Sequence, residues 1–183
     1  MVKLLYSAGM SLDGFIAGRD GDMSWLTPYM GPDPALDGLV ERIGALLVGR
    51  RTWTGDDPNR GTDKEGAFSG TWAGPQVVLT HHKPDGVASD PLVTYSDDVR
   101  EAIDLARTAA GDREYVSILG AEAARSCWEA GALDEVLVSI APIMLGDGVR
   151  LFDRPGGRPV RLERVSASHG PVGTTLWFRV LRD

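Results

Sequence analysis

The sequence predicts an α/β protein with a mostly parallel central sheet and antiparallel strands at its carboxyl-terminal edge. Apolar, strand-like segments alternate with segments of helical periodicity through most of the chain, and the last part contains strand-like segments alone. The strand-like segments are nearly all apolar, as in a sheet with both faces covered. With 183 residues, the chain has the usual length of one domain, so we expect a single domain over residues 1–183.

The first strand is predicted at residues 3–9, which are apolar and include the β-favouring Tyr6. Residues 10–25 follow as a long loop, because turn-forming pairs such as Asp13-Gly14 interrupt its apolar residues. Long loops in compact domains are often functional. We therefore expect this loop to pack over a ligand.

The remaining elements follow from apolar periodicity and from helix start and stop signals. Helices are expected at residues 35–43, from residue 50, at about 97–110 and at 121–130, with Asp33 as a candidate cap of the first. A Gly-rich loop is expected at residues 55–74. Strands are expected at residues 45–48, 76–80, 92–95, 115–119 and 135–140, followed by an antiparallel pair at 161–168 and 174–181.

Charge and cysteine content exclude several classes of function. The net charge of −7 and the pI of about 4.9 argue against nucleic-acid and anionic-membrane partners, which require a basic face. The single cysteine, Cys127, cannot form an internal disulfide, and no ligand spacing suggests a metal site. No apolar run has the length of a signal peptide or a membrane span. We expect a cytoplasmic protein that acts on a small molecule.

Three predicted strand ends carry groups that suit an anionic ligand. One strand ends at Gly49 and is followed by two arginines and a threonine, so cationic side chains, a hydroxyl and free backbone N–H groups converge there. A second junction of strand, glycine and helix occurs at Gly120, and another strand runs into two histidines and a lysine. The residues concerned are Gly49, Arg50, Arg51, Thr52, Thr80, His81, His82, Lys83 and Gly120.

Open α/β sheets bind ligands along the edge formed by the carboxyl ends of their strands. We therefore expect these groups to hold one extended anionic ligand, such as a dinucleotide with a 2′-phosphate. Taken singly, each glycine is more often an ordinary turn residue, and His81-His82 are more often an exposed polar pair. Cys127 lies in the middle of a predicted helix and is interpreted as a packed thiol rather than a nucleophile.

Five segments, in order along most of the chain, resemble a known family. They are SLDGFIAG (residues 11–18), GRRTWT (49–54), QVVLTHH (76–82), ILGAEAARSCWEAGALDE (118–135) and APIMLGDGVRLF (141–152). The chain resembles the dihydrofolate-reductase-like superfamily, and specifically the reductase domain of bifunctional riboflavin-biosynthesis enzymes.

The resemblance implies a three-layer domain, often a homodimer, that binds NADPH along the strand ends. It also implies hydride transfer to a small heterocyclic or carbonyl substrate. The resemblance implies three sets of contacts with the cofactor. Its phosphates would be contacted by Arg50, Arg51 and Thr52, and its adenosine and 2′-phosphate by Thr80, His81 and His82. Its pyrophosphate would be contacted by Gly120, Ala121 and Glu122.

The resemblance places the substrate and the nicotinamide beside the first long loop. Asp13 is expected to be the catalytic polar group nearest the chemistry, with Gly14 next to it and Trp25 as a wall of the same pocket. Asp33 or Asp37 approximately matches the position at which dihydrofolate reductases hold the pterin, and Asp33 is expected to bind substrate.

One departure from the family pattern keeps other functions open. Leu119 stands where family members commonly have the first glycine of a pair, and it adds a side chain where the backbone approaches a phosphate. A flavin or deazaflavin is therefore an alternative cofactor. A non-catalytic nucleotide-binding or dimerisation module is the alternative of another class.

Overall fold

The protein is described by a computed structural model that covers residues 1–31, 33, 36–55, 57, 59–82 and 90–182. Its strands are β1 (Lys3–Ser11), β2 (Phe15–Ala17), β3 (Ile43–Gly49), β4 (Gln76–Leu79), β5 (Val93–Ser96), β6 (Tyr115–Leu119), β7 (Leu133–Ala141), β8 (Val149–Arg150), β9 (Leu162–His169) and β10 (Thr174–Val180). The α-helices are α1 (Leu39–Arg42), α2 (Arg50–Thr54), α3 (Val99–Ala110) and α4 (Ala121–Glu129), and two 3₁₀ segments lie at Arg19–Gly21 and Ser24–Tyr29.

Eight strands form one sheet in the order β5-β4-β3-β6-β1-β7-β10-β9. The first six are parallel to one another, whereas β10 is antiparallel to both β7 and β9. This arrangement confirms the predicted α/β fold with antiparallel strands at the carboxyl-terminal edge. Because the six parallel strands run in one direction, their carboxyl ends lie along the same edge of the sheet.

Each face of the sheet buries its own apolar cluster. Side chains that alternate along β3 show the division, since Leu47 packs with α3 and α4, whereas Leu46 packs on the opposite face with Leu39 of α1. Aromatic side chains from the loop after α2, among them Trp72, cover part of this second face. The predicted coverage of both faces is confirmed, and it explains why the central strands are nearly all apolar.

The predicted helix at residues 35–43 is wrong in extent. The α-helix contains only Leu39–Arg42, and Ile43 begins β3, where it pairs with Tyr115 of β6. Leu39 and Ile43 enter the same apolar cluster, so the helical spacing of apolar residues continues across a helix-to-strand boundary. Gly38 precedes the helix and no side chain caps it, so the prediction that Asp33 is the cap is wrong. Ala35 lies outside the described residues.

A second, two-stranded sheet was not predicted from the sequence. β2 forms within the loop predicted at residues 10–25 and pairs antiparallel with β8, joining Phe15 to Arg150 and Ala17 to Val149. Strands of three and two residues are too short to give a periodic signal. The loop at residues 55–74 has no strand in its described part after α2 ends, as expected.

A buried carboxylate ties four strands together at the edge opposite the strands' carboxyl ends. Glu135 of β7 is 3% exposed. Its oxygens accept hydrogen bonds from Lys3 Nζ at 3.0 Å, Tyr115 Oη at 3.0 Å and Trp177 Nε1 at 2.8 Å. Burial and the bond to Glu135 raise the pKa of Tyr115, so the phenol stays a donor.

We expect Glu135→Ala to destabilise the protein by about 3 kcal/mol or more, because it leaves Tyr115 and Trp177 as buried donors without a partner. The matched control is Glu163→Ala, because Glu163 forms an exposed ion pair with Arg179 on the neighbouring strand. Its loss should lower the free energy of unfolding by less than about 1 kcal/mol. Urea unfolding followed by circular dichroism measures both. Equal losses would contradict a special role for the buried carboxylate.

Cys127 belongs to the core beneath α4, where it is 0% exposed. Burial raises the pKa of its thiol to about 12. We therefore expect iodoacetamide at pH 8 to leave the native protein unmodified and to alkylate it in denaturant, as measured by mass spectrometry. Rapid alkylation of the native protein would show that the thiol is accessible.

Candidate functional site

A cleft of about 2940 Å³ runs along the sheet edge formed by the carboxyl ends of the parallel strands. Gly49 pairs with Leu79, and Val48 with Leu119, so β3, β4 and β6 end side by side. The cleft is several times larger than a common small-molecule pocket of about 300–1,000 Å³. It therefore has room for an extended ligand together with a second, smaller molecule.

The two glycine junctions contact each other in the middle of this edge. Gly120 has φ +101°, and a Cβ built on it would overlap Thr52 Oγ1. A Cβ on Gly49 would lie 3.4 Å from the Cβ of Ala123 in α4. Both glycines are thus required by close packing, and Gly120 also by its backbone conformation. No side chain caps α4, so the N–H groups of its first turn face the cleft without a capping acceptor.

Cationic side chains surround these junctions. Arg51 Nη1 lies 3.7 Å from Glu122 Oε2, and its side chain is 89% exposed. Glu122 makes a shorter bond, 2.6 Å, with Arg125 Nη2. Arg50 is exposed and its guanidinium has no ion pair with any residue that the structure describes. Two arginines therefore remain available to an anion at this end of the cleft.

The end of β4 adds a polar turn next to the arginines. Thr80 is buried, accepts a hydrogen bond from the His82 backbone N–H at 3.2 Å, and donates to the His82 carbonyl oxygen at 3.0 Å. This leaves His81 and His82 exposed in the cleft lining. Lys83, which the sequence also suggested, lies outside the described residues.

Leu119 lines the cleft, and its side chain packs against the apolar cluster formed by Leu46, Val48 and their neighbours. This cluster lies on the sheet face opposite α4. The side chain is therefore directed away from the first turn of α4, where the sequence argument placed a phosphate.

The opposite end of the cleft carries a hydroxyl and carboxylate network that sequence reasoning found only in part. Asp33 accepts hydrogen bonds from Thr175 Oγ1 and from Ser168 Oγ, the latter at 2.9 Å. Thr175 Oγ1 lies 2.7 Å from Ser139 Oγ, and the two residues face each other across β10 and β7. Asp33, Ser139 and Thr175 all line the cleft. Ser139 and Thr175 lie on strands that carry other polar residues, such as Glu135 and Arg179, so the sequence held no distinct signal for them.

Of the predicted site residues, eleven line the cleft: Asp33, Gly49, Arg50, Arg51, Thr52, Thr80, His81, His82, Gly120, Ala121 and Glu122. Three do not belong to the described lining: Asp13, Gly14 and Trp25. The indole of Trp25 is packed inward with Nε1 buried, and the neighbouring Leu26 reaches the cleft instead.

The surroundings of Asp13 do not support its predicted place beside the chemistry. Asp13 Oδ1 accepts hydrogen bonds from Ser11 Oγ at 2.6 Å and from Leu145 N at 3.0 Å, and Oδ2 accepts one from Gly146 N at 2.7 Å. The Ser11 hydroxyl and these two backbone N–H groups lower the pKa of Asp13 to about 2. An ionised carboxylate with its oxygens so engaged has no proton to give at neutral pH.

Within the described residues, no cluster of His, Cys, Asp and Glu has the arrangement of a metal site. No described helix combines the length and hydrophobicity needed to cross a bilayer.

The fold defines a class: three-layer α/β proteins with a mostly parallel central sheet and antiparallel strands at one edge. The sequence profile of the RibD C-terminal domain matches residues 2–176 of the chain. The chain therefore belongs to the RibD C-terminal domain family, as the five sequence segments predicted.

Individual relatives agree with this assignment. A putative riboflavin biosynthesis protein from Shewanella sp. PV-4 is similar in structure, with a TM-score of 0.71 and 21% identity over 99% of this chain and 100% of that one. The riboflavin biosynthesis reductase Rib7 of Saccharomyces cerevisiae has a TM-score of 0.58 and 16% identity, covering 98% and 90%. Uncharacterized protein YyaP of Bacillus subtilis (strain 168) is 26% identical over 165 residues, 82% of this chain and 80% of the relative.

We expect Gly120→Ala to destabilise the protein by more than the matched change Gly131→Ala. Both glycines have positive φ, so both changes strain the backbone, but a Cβ at Gly131 meets nothing within 4 Å whereas one at Gly120 overlaps Thr52 Oγ1. Adding Thr52→Ala should recover part of the difference. The four variants are Gly120→Ala, Gly131→Ala, Thr52→Ala and the double variant of Gly120 and Thr52, and thermal unfolding compares them with the wild type. Equal losses of stability for the two glycine changes would contradict the contact between Gly120 and Thr52.

Proposed function

We propose that this protein is a reductase of the riboflavin-biosynthesis type that uses NADPH to reduce a small heterocyclic or carbonyl substrate. The observation that carries the proposal is the division of one cleft into two chemically different ends. Exposed arginines and the first turn of α4 lie at β3 and β6, and hydroxyl groups with a carboxylate lie at β7 and β10. From β4 to β7 there are four strand spacings, or about 19 Å, which suits a dinucleotide.

The residues present fit a pyrophosphate. Glycines at positions 49 and 120 let the two strand-to-helix junctions pack closely against Ala123 and Thr52. The first turn of α4 begins at this point, and backbone N–H groups at the start of a helix can donate to a phosphate. Arg50 and Arg51 supply charge-assisted hydrogen bonds to phosphate oxygens. Thr80, His81 and His82 then lie where the adenosine and its 2′-phosphate would extend. The nicotinamide ring supplies the hydride when the cofactor is bound.

Hydrogen-bond polarity at the other end indicates how substrate is oriented. The Thr175 hydroxyl donates its single proton to a carboxylate oxygen of Asp33. Thr175 Oγ1 then accepts the proton of Ser139, which leaves lone pairs of Ser139 Oγ for the cleft. We propose that Ser139 and Asp33 bind an N–H or O–H donor of the substrate and fix the ring for hydride transfer.

The direction of the Leu119 side chain bears on the alternative cofactors. A flavin or deazaflavin is an alternative cofactor because Leu119 replaces a glycine of the family pattern. The Leu119 side chain, however, packs on the sheet face opposite α4, so it does not block a phosphate at the first turn of α4. The exposed arginines beside the first turn of α4 likewise favour a ligand-binding role over a scaffold. Assembly as a homodimer stays a prediction, which sedimentation velocity tests.

Saturating NADPH should raise the melting temperature of the protein. At about 100 times Kd the stabilisation is about 2.7 kcal/mol, or roughly 5–10 °C for a chain of this length. Arg50→Ala and Arg51→Ala should each weaken binding about tenfold or more by removing a charge-assisted bond. The control is Arg158→Ala, at an exposed arginine outside the cleft lining.

Differential scanning fluorimetry with NADPH, NADH and flavin cofactors separates the alternatives. A shift with a flavin cofactor and none with NADPH would support the second cofactor class. No shift with any nucleotide would reject the reductase proposal and leave the scaffold.

A further inference from the structure

Two loops at the substrate end of the cleft are joined to each other by backbone and side-chain contacts. We call residues 12–30 the wall loop and residues 142–150 the brace loop. The wall loop and residues 146–150 of the brace loop contribute to the cleft lining. Leu26 of the wall loop lies over the end of β1, since a Cβ on Gly9 would come 2.8 Å from Leu26 Cδ1. The position of the wall loop therefore sets the depth of the cleft beside β1.

The contacts between the loops centre on Asp13. Both carboxylate oxygens of Asp13 accept backbone N–H bonds from the brace loop, at Leu145 and Gly146. Leu12 N donates to Ile143 O at 2.8 Å, and Leu151 N donates to Gly14 O at 2.9 Å. These backbone bonds lie immediately beside Asp13, so the carboxylate is the side-chain anchor of a continuous seam.

Other side-chain contacts also cross the seam. The Arg150 guanidinium lies 4.6 Å from the centroid of the Phe15 ring. The ion pair between Arg19 and Asp147 is weaker in water than the Asp13 contacts. Arg19 Nε and Asp147 Oδ2 are 2.6 Å apart, but the side chains are 81% and 59% exposed, and exposed ion pairs contribute little. Gly148 is closely packed, because a Cβ there would overlap Ala17 O. The seam thus has tight backbone packing and one well-satisfied carboxylate.

We propose that Asp13 is a positioning residue: its carboxylate fastens the wall loop to the brace loop, so that the substrate end of the cleft is preformed before any ligand binds. The expected effect on substrate rests on the proposed function, whereas the fastening of the loops does not. A preformed site avoids the loss of affinity that follows when only a fraction of the molecules is competent to bind.

The test compares Asp13→Asn with the wild type and with Asp112→Asn, at an exposed aspartate outside the cleft lining. The asparagine keeps the size of the side chain but places an NH₂ group opposite a backbone N–H. Hydrogen exchange of the protein without ligand should become roughly tenfold faster or more in peptides from both loops. Peptides from α3 and α4 should be unchanged, and Asp112→Asn should match the wild type throughout.

Ser11→Ala is the second variant, and it decides the matter if Asp13→Asn does not fold. It removes one donor to Asp13 Oδ1 and the acceptor of Phe15 N. Faster exchange should appear in the same two loops with a smaller amplitude. Unchanged exchange in the loops of both variants, or of the only one that folds, would overturn the proposal.

Kinetics separate positioning from a catalytic role. In NADPH-dependent turnover of an accepted substrate, Asp13→Asn should raise KM for the substrate several-fold and change kcat much less. A loss confined to kcat would place Asp13 at the chemistry and overturn the proposal. If no nicotinamide nucleotide binds the wild type, the proposed function fails, while the exchange experiment without ligand still decides on Asp13.

Discussion

The contact between Gly120 and Thr52 is the constraint on which the cleft depends. It brings the start of α4 against the start of α2, and therefore fixes how β6 and β3 present their ends. Only a residue without a Cβ satisfies both the backbone angle at Gly120 and this distance. The arginines and the free N–H groups of α4 converge because the two strand ends are held together there.

The sheet beneath this contact was largely predictable from the sequence. Continuous apolar strands separated by helices predict a covered parallel sheet, and strands such as Tyr115–Leu119 appear at the expected bounds. The short α1 was overestimated because Leu39 and Ile43 face one cluster from different elements. Periodicity reports which side chains share a face, and it does not report where a helix becomes a strand.

The candidate site was predictable where it follows from strand ends and not where it depends on pairing. Arg50 and Gly120 could be placed at one edge because parallel strands end together. The pairing of Ser139 with Thr175 depends on the register of β7 and β10, which spacing does not reveal. Asp13 was predicted near the chemistry from the resemblance and from its position in the first long loop. Its partners Leu145 and Gly146 are more than a hundred residues away in the chain, so spacing could not reveal them.

We propose that a nicotinamide dinucleotide lies along this edge, from the arginines to the hydroxyl network. Titration of isotope-labelled protein with NADPH, followed by amide chemical shifts, tests this position. We expect saturable shifts at residues 49–52 and 120–122, with a second group around Ser139 and Thr175. Shifts confined to other surfaces, or none at millimolar NADPH, would contradict it.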